Sequence, residues 1–218
     1  MKAILFFIFS NLLYYGIAFP ILAILTKIIY DLKIEGRENI KNLKGGAVTV
    51  SNHVLVLDCA MVGLACVKKK VCYTAQEESF RIPFVGKLIK FLNAIPISTK
   101  IEEKKRFIQE VDTRLEKGRI VHFYPEGSLE PYYKEIRDFK NGAFDLAVRN
   151  QVPVVPMVFQ FRKPKGIRKI FKRKLDVTLT ILAPVMCEGD DKEMKQKVQN
   201  AMESQLRNKQ KNCNQIVT

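Results

Sequence analysis

The sequence predicts an α/β fold: a single domain with a mostly parallel central sheet flanked by helices, preceded by an N-terminal membrane-associated helical segment. Three observations predict it. Short β-branched runs bounded by glycine alternate with stretches of helical periodicity, the order that builds a parallel sheet with crossover helices. The two most compact polar motifs, Asn52-His53-Val54-Leu55-Val56-Leu57-Asp58 and Tyr124-Pro125-Glu126-Gly127-Ser128, each follow a strand candidate. In such sheets functional loops gather at the carboxyl ends of strands. Finally, residues 3–26 contain no charged side chain, whereas the 218-residue chain as a whole carries a net charge of +15.

The elements follow in order. As a helix, residues 3–26 reach roughly 36 Å, enough to cross a hydrocarbon layer of about 30 Å. Gly16 and Pro20 interrupt the run and Asn11 is costly at mid-bilayer, so a re-entrant or interfacial hairpin stands beside a straight span. A cleaved signal peptide is the rival, with Gly16-Ile17-Ala18 as its only weak cleavage site. Residues 29–34 read as a strand and Gly36 to Asn39 as a turn. Residues 46–51 are small and β-branched and read as a buried strand ending at Asn52-His53. Asp58 opens an apolar helix to about Val67, closed by Lys68, Lys69 and Lys70 at the negative end of its dipole. Strands are expected over 71–75, 94–98, 120–124, 152–158 (with prolines at its ends) and 175–182. Helices are expected over 87–91, 101–117 and 141–150, with Gly118 as a stop. A last helix, capped by Asp191, carries Met194, Val198, Met202 and Leu206 as a core stripe. The chain divides into an anchor or re-entrant segment over 1–28, a catalytic domain over 29–207 and a polar tail over 208–218.

The positive charge implies an anionic partner. Aromatics do not interleave with the basic residues in a nucleic-acid-reading pattern, which argues against nucleic acid and for an anionic bilayer surface or phosphate-bearing substrate. The five cysteines, Cys59, Cys66, Cys72, Cys187 and Cys213, are odd in number and contain no C-x-x-C pair. Three lie among apolar residues, as expected of reduced core thiols in a domain on the cytoplasmic side of a membrane.

Asp58 can accept the imidazole N–H of His53, fixing the tautomer and stabilising the imidazolium formed after proton capture. This is the base and orienter of a serine-hydrolase triad without its serine, since no G-x-S-x-G elbow occurs in the chain. The nucleophile is then the substrate's own hydroxyl, and an imidazole, with an ordinary pKa of about 6.5, suits its deprotonation. A buried His53–Asp58 pair with no chemistry is the competing reading of the spacing alone. Only one other histidine exists, which argues against a metal; His122 reads as structural.

The order of motifs resembles the glycerolipid acyltransferase superfamily, the bacterial 1-acylglycerol-3-phosphate acyltransferases in particular. Asn52-His53 through Asp58 matches its N-H-x-x-x-x-D motif, and Phe80-Arg81-Ile82-Pro83-Phe84-Val85-Gly86 with Ile95-Pro96-Ile97 its second block. Phe123-Tyr124-Pro125-Glu126-Gly127-Ser128 resembles the F-P-E-G-T block, Val152 to Pro156 the fourth, and Gly36 to Ile40 the segment before the catalytic strand. The resemblance implies transfer of a fatty acyl group from acyl-CoA or acyl carrier protein to a hydroxyl of lysophosphatidate. It implies His53 as general base, Asp58 as its orienter, no metal or resident cofactor, and no covalent acyl-enzyme. It also implies that Glu126, Gly127 and Ser128 position the acceptor and that backbone N–H groups of this loop or the second block stabilise the oxyanion.

The chain departs from the pattern where arginines are expected: Leu129 follows the Glu-Gly-Ser triplet, and Ser98-Thr99 closes the second block. Lys100, Lys134, Arg137 and Lys140 are the nearby cations able to replace them. The departures open a second reading, a different lyso-lipid or an aminolipid as acceptor. A thioesterase and a non-catalytic membrane-surface protein are the remaining alternatives. The eight Lys or Arg of residues 162–174 are either a solvated hairpin or an electrostatic dock on anionic lipid.

Overall fold

The computed structural model describes residues 19–215 except 68, 84–85, 87–88, 90–93, 99, 165, 167–174 and 187–188. Most of the expected N-terminal segment, all of the helix expected over 87–91 except Ile89, Thr99 and most of the basic run lie outside the described residues. Among the described residues, no helix is long and apolar enough to cross a membrane.

Helix α1 spans Phe19–Tyr30 and leaves Ile21, Ile24, Leu25 and Ile28 exposed while burying Thr26 and Tyr30. The strand expected over 29–34 therefore starts late: β1 is Lys33–Glu35. The β-branched Ile28-Ile29 pair stays helical, and the helix stops only at Asp31, whose φ of 44° breaks the repeat. A short helix, α2 (Glu38–Lys41), leads to β2 (Ala47–Ser51), buried at all five positions. Then follow α3 (Asp58–Ala65), β3 (Val71–Gln76), a 3-10 turn over Glu77–Arg81, and β4 (Ile95–Ile97). Helix α4 (Ile101–Glu116), β5 (Ile120–Phe123), α5 (Gly142–Arg149), β6 (Val154–Arg162), β7 (Asp176–Ile181) and α6 (Asp191–Gln215) complete the chain.

The seven strands form one sheet in the order β1-β7-β6-β2-β5-β3-β4. All neighbouring pairs among the described strands are parallel except β6 with β7. β2 lies near the middle, between β5 and β6, which explains why it is buried along its whole length. Alternation along β2 and β5 sends Val48, Val50, Val121 and Phe123 into a core under α4, α5 and α6, anchored by Phe144, Leu115 and Met202. Ala47 and Ile120 pack into the opposite core with Met61 and Val62 of α3 and Tyr30 of α1.

Other boundaries also differ from expectation, and α3 ends at Ala65 rather than near Val67. β6 runs to Arg162, and Pro156 lies inside it, in register with Val50. The proline lacks a donor, but its carbonyl accepts Leu182 N–H at 2.8 Å, so the ladder loses a single N–H. The cap of α6 is Asp190, whose Oδ1 accepts Glu193 N–H at 2.8 Å; Asp191 is already helical. The stripe of Met194, Val198, Met202 and Leu206 is buried as expected, and the helical backbone continues into the polar tail as far as Gln215.

Candidate active site

β2 delivers His53 through a substitution of side chain for backbone. Its pairing with β6 ends at Ser51 opposite Met157. The Asn52 amide then takes the place of a peptide group: Nδ2 donates to Phe159 O at 3.1 Å, and Oδ1 accepts Phe159 N–H at 2.8 Å. The main chain is free to turn out of the sheet while its last contact with β6 is kept. His53 follows at the carboxyl rim, its side chain 24% exposed.

Asp58, in the first turn of α3, returns to meet it: His53 Nδ1 lies 2.7 Å from Asp58 Oδ2. Tyr124, the residue after β5, donates its hydroxyl to Oδ1 at 2.7 Å, and Leu55 N–H points to Oδ2 at 3.4 Å. Three donors on one carboxylate make Nδ1 the protonated nitrogen and leave Nε2 with the lone pair. Among the described residues Nε2 has no hydrogen-bond partner. The imidazole lies over the Tyr124 ring, with centroids 3.9 Å apart and 19° between the planes. Desolvation, then the Asp58 charge, pushes the Tyr124 hydroxyl well above the usual tyrosine range, so it remains a donor.

His122 sits deeper, fully buried on β5. Its Nδ1 is 2.9 Å from Thr49 Oγ1 and its Nε2 is 3.3 Å from Ser51 Oγ. Burial, helped by the nearby His53, lowers its pKa to about 3. The unfolded chain binds a proton at this residue near the ordinary 6.5 and the folded chain does not. Stability is therefore expected to fall progressively as pH drops from about 6.5 toward 3. Melting temperatures of wild type and His122→Gln across that range check this: the variant should show a shallower decline below pH 6.5, and parallel curves would contradict it.

Glu126 closes the second motif from beneath. Its side chain is fully buried and accepts Arg137 Nη2 at 2.6 Å, Arg137 Nε at 3.0 Å and Arg137 N–H at 3.3 Å. It also faces the backbone N–H of His53 at 3.4 Å, so the two motifs meet at the sheet edge. Arg137 reaches on to Ser128, with Nη1 3.0 Å from Oγ and Nη2 on the carbonyl oxygen. Gly127 holds a φ of 83°, and Gln76 Nε2 donates to its carbonyl at 2.8 Å. A Cβ at Gly127 would meet Lys140 Nζ at 2.6 Å, so glycine here serves both the left-handed turn and the close passage of the lysine.

A cavity of about 560 Å³ runs from His53 and Asp58 into the space between the sheet and helices α4 and α5. Its lining is mostly apolar, with Ile89, Ile97, Phe107, Ile108, Phe123 and Leu146; Gln76, Ser128, Lys140 and Lys104 of α4 are among its polar side chains. Gly127, Ser128 and Lys140, expected to bind the acceptor, line it. Glu126 and Arg137 are engaged with each other beside it, and the Lys100 ammonium lies 3.5 Å from Glu103 Oε1, away from the described lining. Cys59 also lines the cavity, but burial and the Asp58 charge push its thiol up to about 12, so it stays protonated and a poor nucleophile. Among the described residues no group of His, Cys, Asp and Glu is arranged to hold a metal ion.

Sequence reasoning missed Tyr124, Lys104 and the task of Asn52. An aromatic residue at the end of a strand, directly before Pro125-Glu126, was the available signal for Tyr124; nothing in sequence marks Lys104.

A histidine steadied by a buried carboxylate, beside a largely apolar cavity on the carboxyl rim of an α/β sheet, is an arrangement able to take a proton from a hydroxyl held at Nε2. A family model described as Acyltransferase matches residues 31–160, and the chain belongs to that family. It is 30% identical over 169 residues to the human 1-acyl-sn-glycerol-3-phosphate acyltransferase beta, covering 75% of this chain and 59% of the human protein. It is 31% identical over 133 residues to the chloroplastic 1-acyl-sn-glycerol-3-phosphate acyltransferase LPAT1 of Arabidopsis thaliana, covering 59% of this chain and 35% of that one. The chain thus spans little more than a third of the Arabidopsis relative's length. The crystal structure of PlsC, the 1-acyl-sn-glycerophosphate acyltransferase of Thermotoga maritima, shares the fold, with a TM-score of 0.64, 21% identity and 94% of both chains covered.

Proposed function

We propose that this chain moves a fatty acyl group from an acyl thioester, on CoA or acyl carrier protein, to the free hydroxyl of lysophosphatidate, giving phosphatidate for phospholipid synthesis. The observation that carries the reading is the His53 Nδ1 to Asp58 Oδ2 contact of 2.7 Å in a wall of the apolar cavity. His53 Nε2 takes the proton of the acceptor hydroxyl, and the oxygen attacks the thioester carbonyl. The tetrahedral oxyanion collapses, the carbon–sulfur bond breaks, and the imidazolium returns the proton to the leaving thiolate. Asp58 stabilises the imidazolium in between. The backbone N–H groups of Ser128 and Leu129, which donate no hydrogen bond among the described residues, supply the oxyanion donors.

The apolar reach of the cavity takes the acyl chain. Lys140, Gly127 and Ser128 take the acceptor's head group, with Lys140 as its cation. The thioester is a co-substrate, and the chemistry calls for no resident cofactor or metal. The exposed apolar face of α1 and the excess of basic residues support a reading in which the enzyme docks on an anionic bilayer with its catalytic domain on the cytoplasmic side. Leu129, standing in the cavity wall where the resembling family carries an arginine, favours a second reading in which the acceptor is another lyso-lipid or an aminolipid.

The test is a panel of acceptors offered with one labelled acyl-CoA and one labelled acyl carrier protein, read by mass detection of product and by thiol release. Lysophosphatidate should be acylated, with thiol released only when it is present. Preference for another acceptor selects the second reading, and equal thiol release without acceptor overturns both in favour of hydrolysis.

A further inference from the structure

Tyr124 touches the proposed base and its orienter at once. The ring stacks on the His53 imidazole at 3.9 Å, and the hydroxyl holds Asp58 Oδ1 at 2.7 Å, the oxygen that His53 leaves open. The stack limits the tilt of the imidazole; the hydrogen bond sets the plane of the carboxylate that grips it. Tyr124 is itself buttressed by His122, edge-on at 4.7 Å and 86°, which Thr49 and Ser51 lock in place. We infer that Tyr124 is a positioning residue whose hydroxyl sets how strongly Asp58 draws the proton of His53. The inference rests on His53 acting as the base.

The physical argument concerns one carboxylate shared by two strong donors. Asp58 is 1% exposed, so water does not replace a donor that is taken away. With the hydroxyl present, part of the carboxylate's charge is spent on Tyr124. Without it, that charge concentrates on the imidazolium side, and His53 becomes the stronger base. A stronger base at rest holds its proton at working pH and is less available to the acceptor.

Other groups near His53 do not compete for this effect. From α3 come Asp58 and Cys59, whose thiol burial pushes up to about 12, and from α1 comes Tyr30, whose hydroxyl is raised by burial, then by Tyr132 and Asp58, and stays neutral. From β5 comes His122, held neutral down to about 3, and from β3 comes Tyr73, edge-on to His122 at 6.2 Å. Glu126 is matched by Arg137, and Lys140 lies across Gly127.

The chain has two histidines, and the buried one stays neutral to about pH 3, which leaves the His53 imidazole as the signal to follow. The experiment follows that titration by NMR in the full chain carrying labelled histidine, for wild type and Tyr124→Phe. The midpoint is expected to rise by about 0.5–1 pH unit in the variant. The acid limb of kcat/KM should move up with it, and plateau kcat should fall on the order of tenfold. A ring-fluorinated tyrosine placed at position 124 is a stronger donor of nearly the same shape and should move the midpoint down, which tests the coupling even where the phenylalanine variant folds poorly. An unmoved midpoint in both proteins, with His53→Ala inactive, overturns this inference alone. Full turnover by His53→Ala overturns the base assignment and this inference with it.

Discussion

Replacing His53 with alanine is expected to lower acceptor-dependent thiol release by about a hundred- to ten-thousand-fold, the range set by loss of a general base. Asp58 keeps its contacts with Tyr124 and Leu55, and the His53 side chain is already part exposed, so the fold should survive. Circular dichroism and a melting curve close to wild type would separate lost chemistry from lost structure. The loss should fall on kcat, because the imidazole acts on the proton in flight rather than on either tail. Turnover at the wild-type rate would remove His53 as the base. Unchanged binding to anionic vesicles beside abolished turnover would fit the proposal, whereas a wild type without turnover on any acceptor would favour a protein that only binds the membrane.

Arg137→Ala is expected to give the largest loss of stability. The substitution strips the guanidinium from a carboxylate that has no access to water, and breaking a buried ion pair by removing one partner costs about 3–5 kcal/mol. The lower end applies because the Arg137 side chain is 23% exposed. Because Glu126 also meets the backbone N–H of His53, the rim should shift and activity should drop by about a hundredfold or less. Urea unfolding of Arg137→Ala, Glu126→Gln and the double variant measures the pair: the double variant should recover part of the loss. A single variant within about 0.5 kcal/mol of wild type would show the contact to be inconsequential.

The parts of this site legible in sequence are those whose partners lie close along the chain. His53 and Asp58 are five residues apart, and a glycine-bounded β-branched strand followed by a loop and an apolar helix gives their meeting place away. The alternation of strands and helices likewise predicts the sheet, and the Met194–Leu206 stripe its covering helix. Tyr124 with Asp58 spans 66 residues and Asn52 with Phe159 spans 107, and no local pattern announces either contact. Arg137 was noticed as a cation, but only the fold shows it folded back on Glu126 instead of facing the cavity. The strand expected from residue 29 begins only at Lys33: Ile29-Tyr30 has strand propensity, but packing of α1 against α3 keeps it helical.

The contact between Glu126 and Arg137 also closes residues 127–136 into a small ring without a covalent bond. Glu130 and Tyr132 hang from the carbonyls of His53 and Val54, while Lys134 and Glu135 have no backbone hydrogen bond among the described residues and face water. Cutting the main chain between those last two positions would therefore leave both fragments clasped to the body. New chain termini, or an inserted reporter module, would sit there with little disturbance of these contacts.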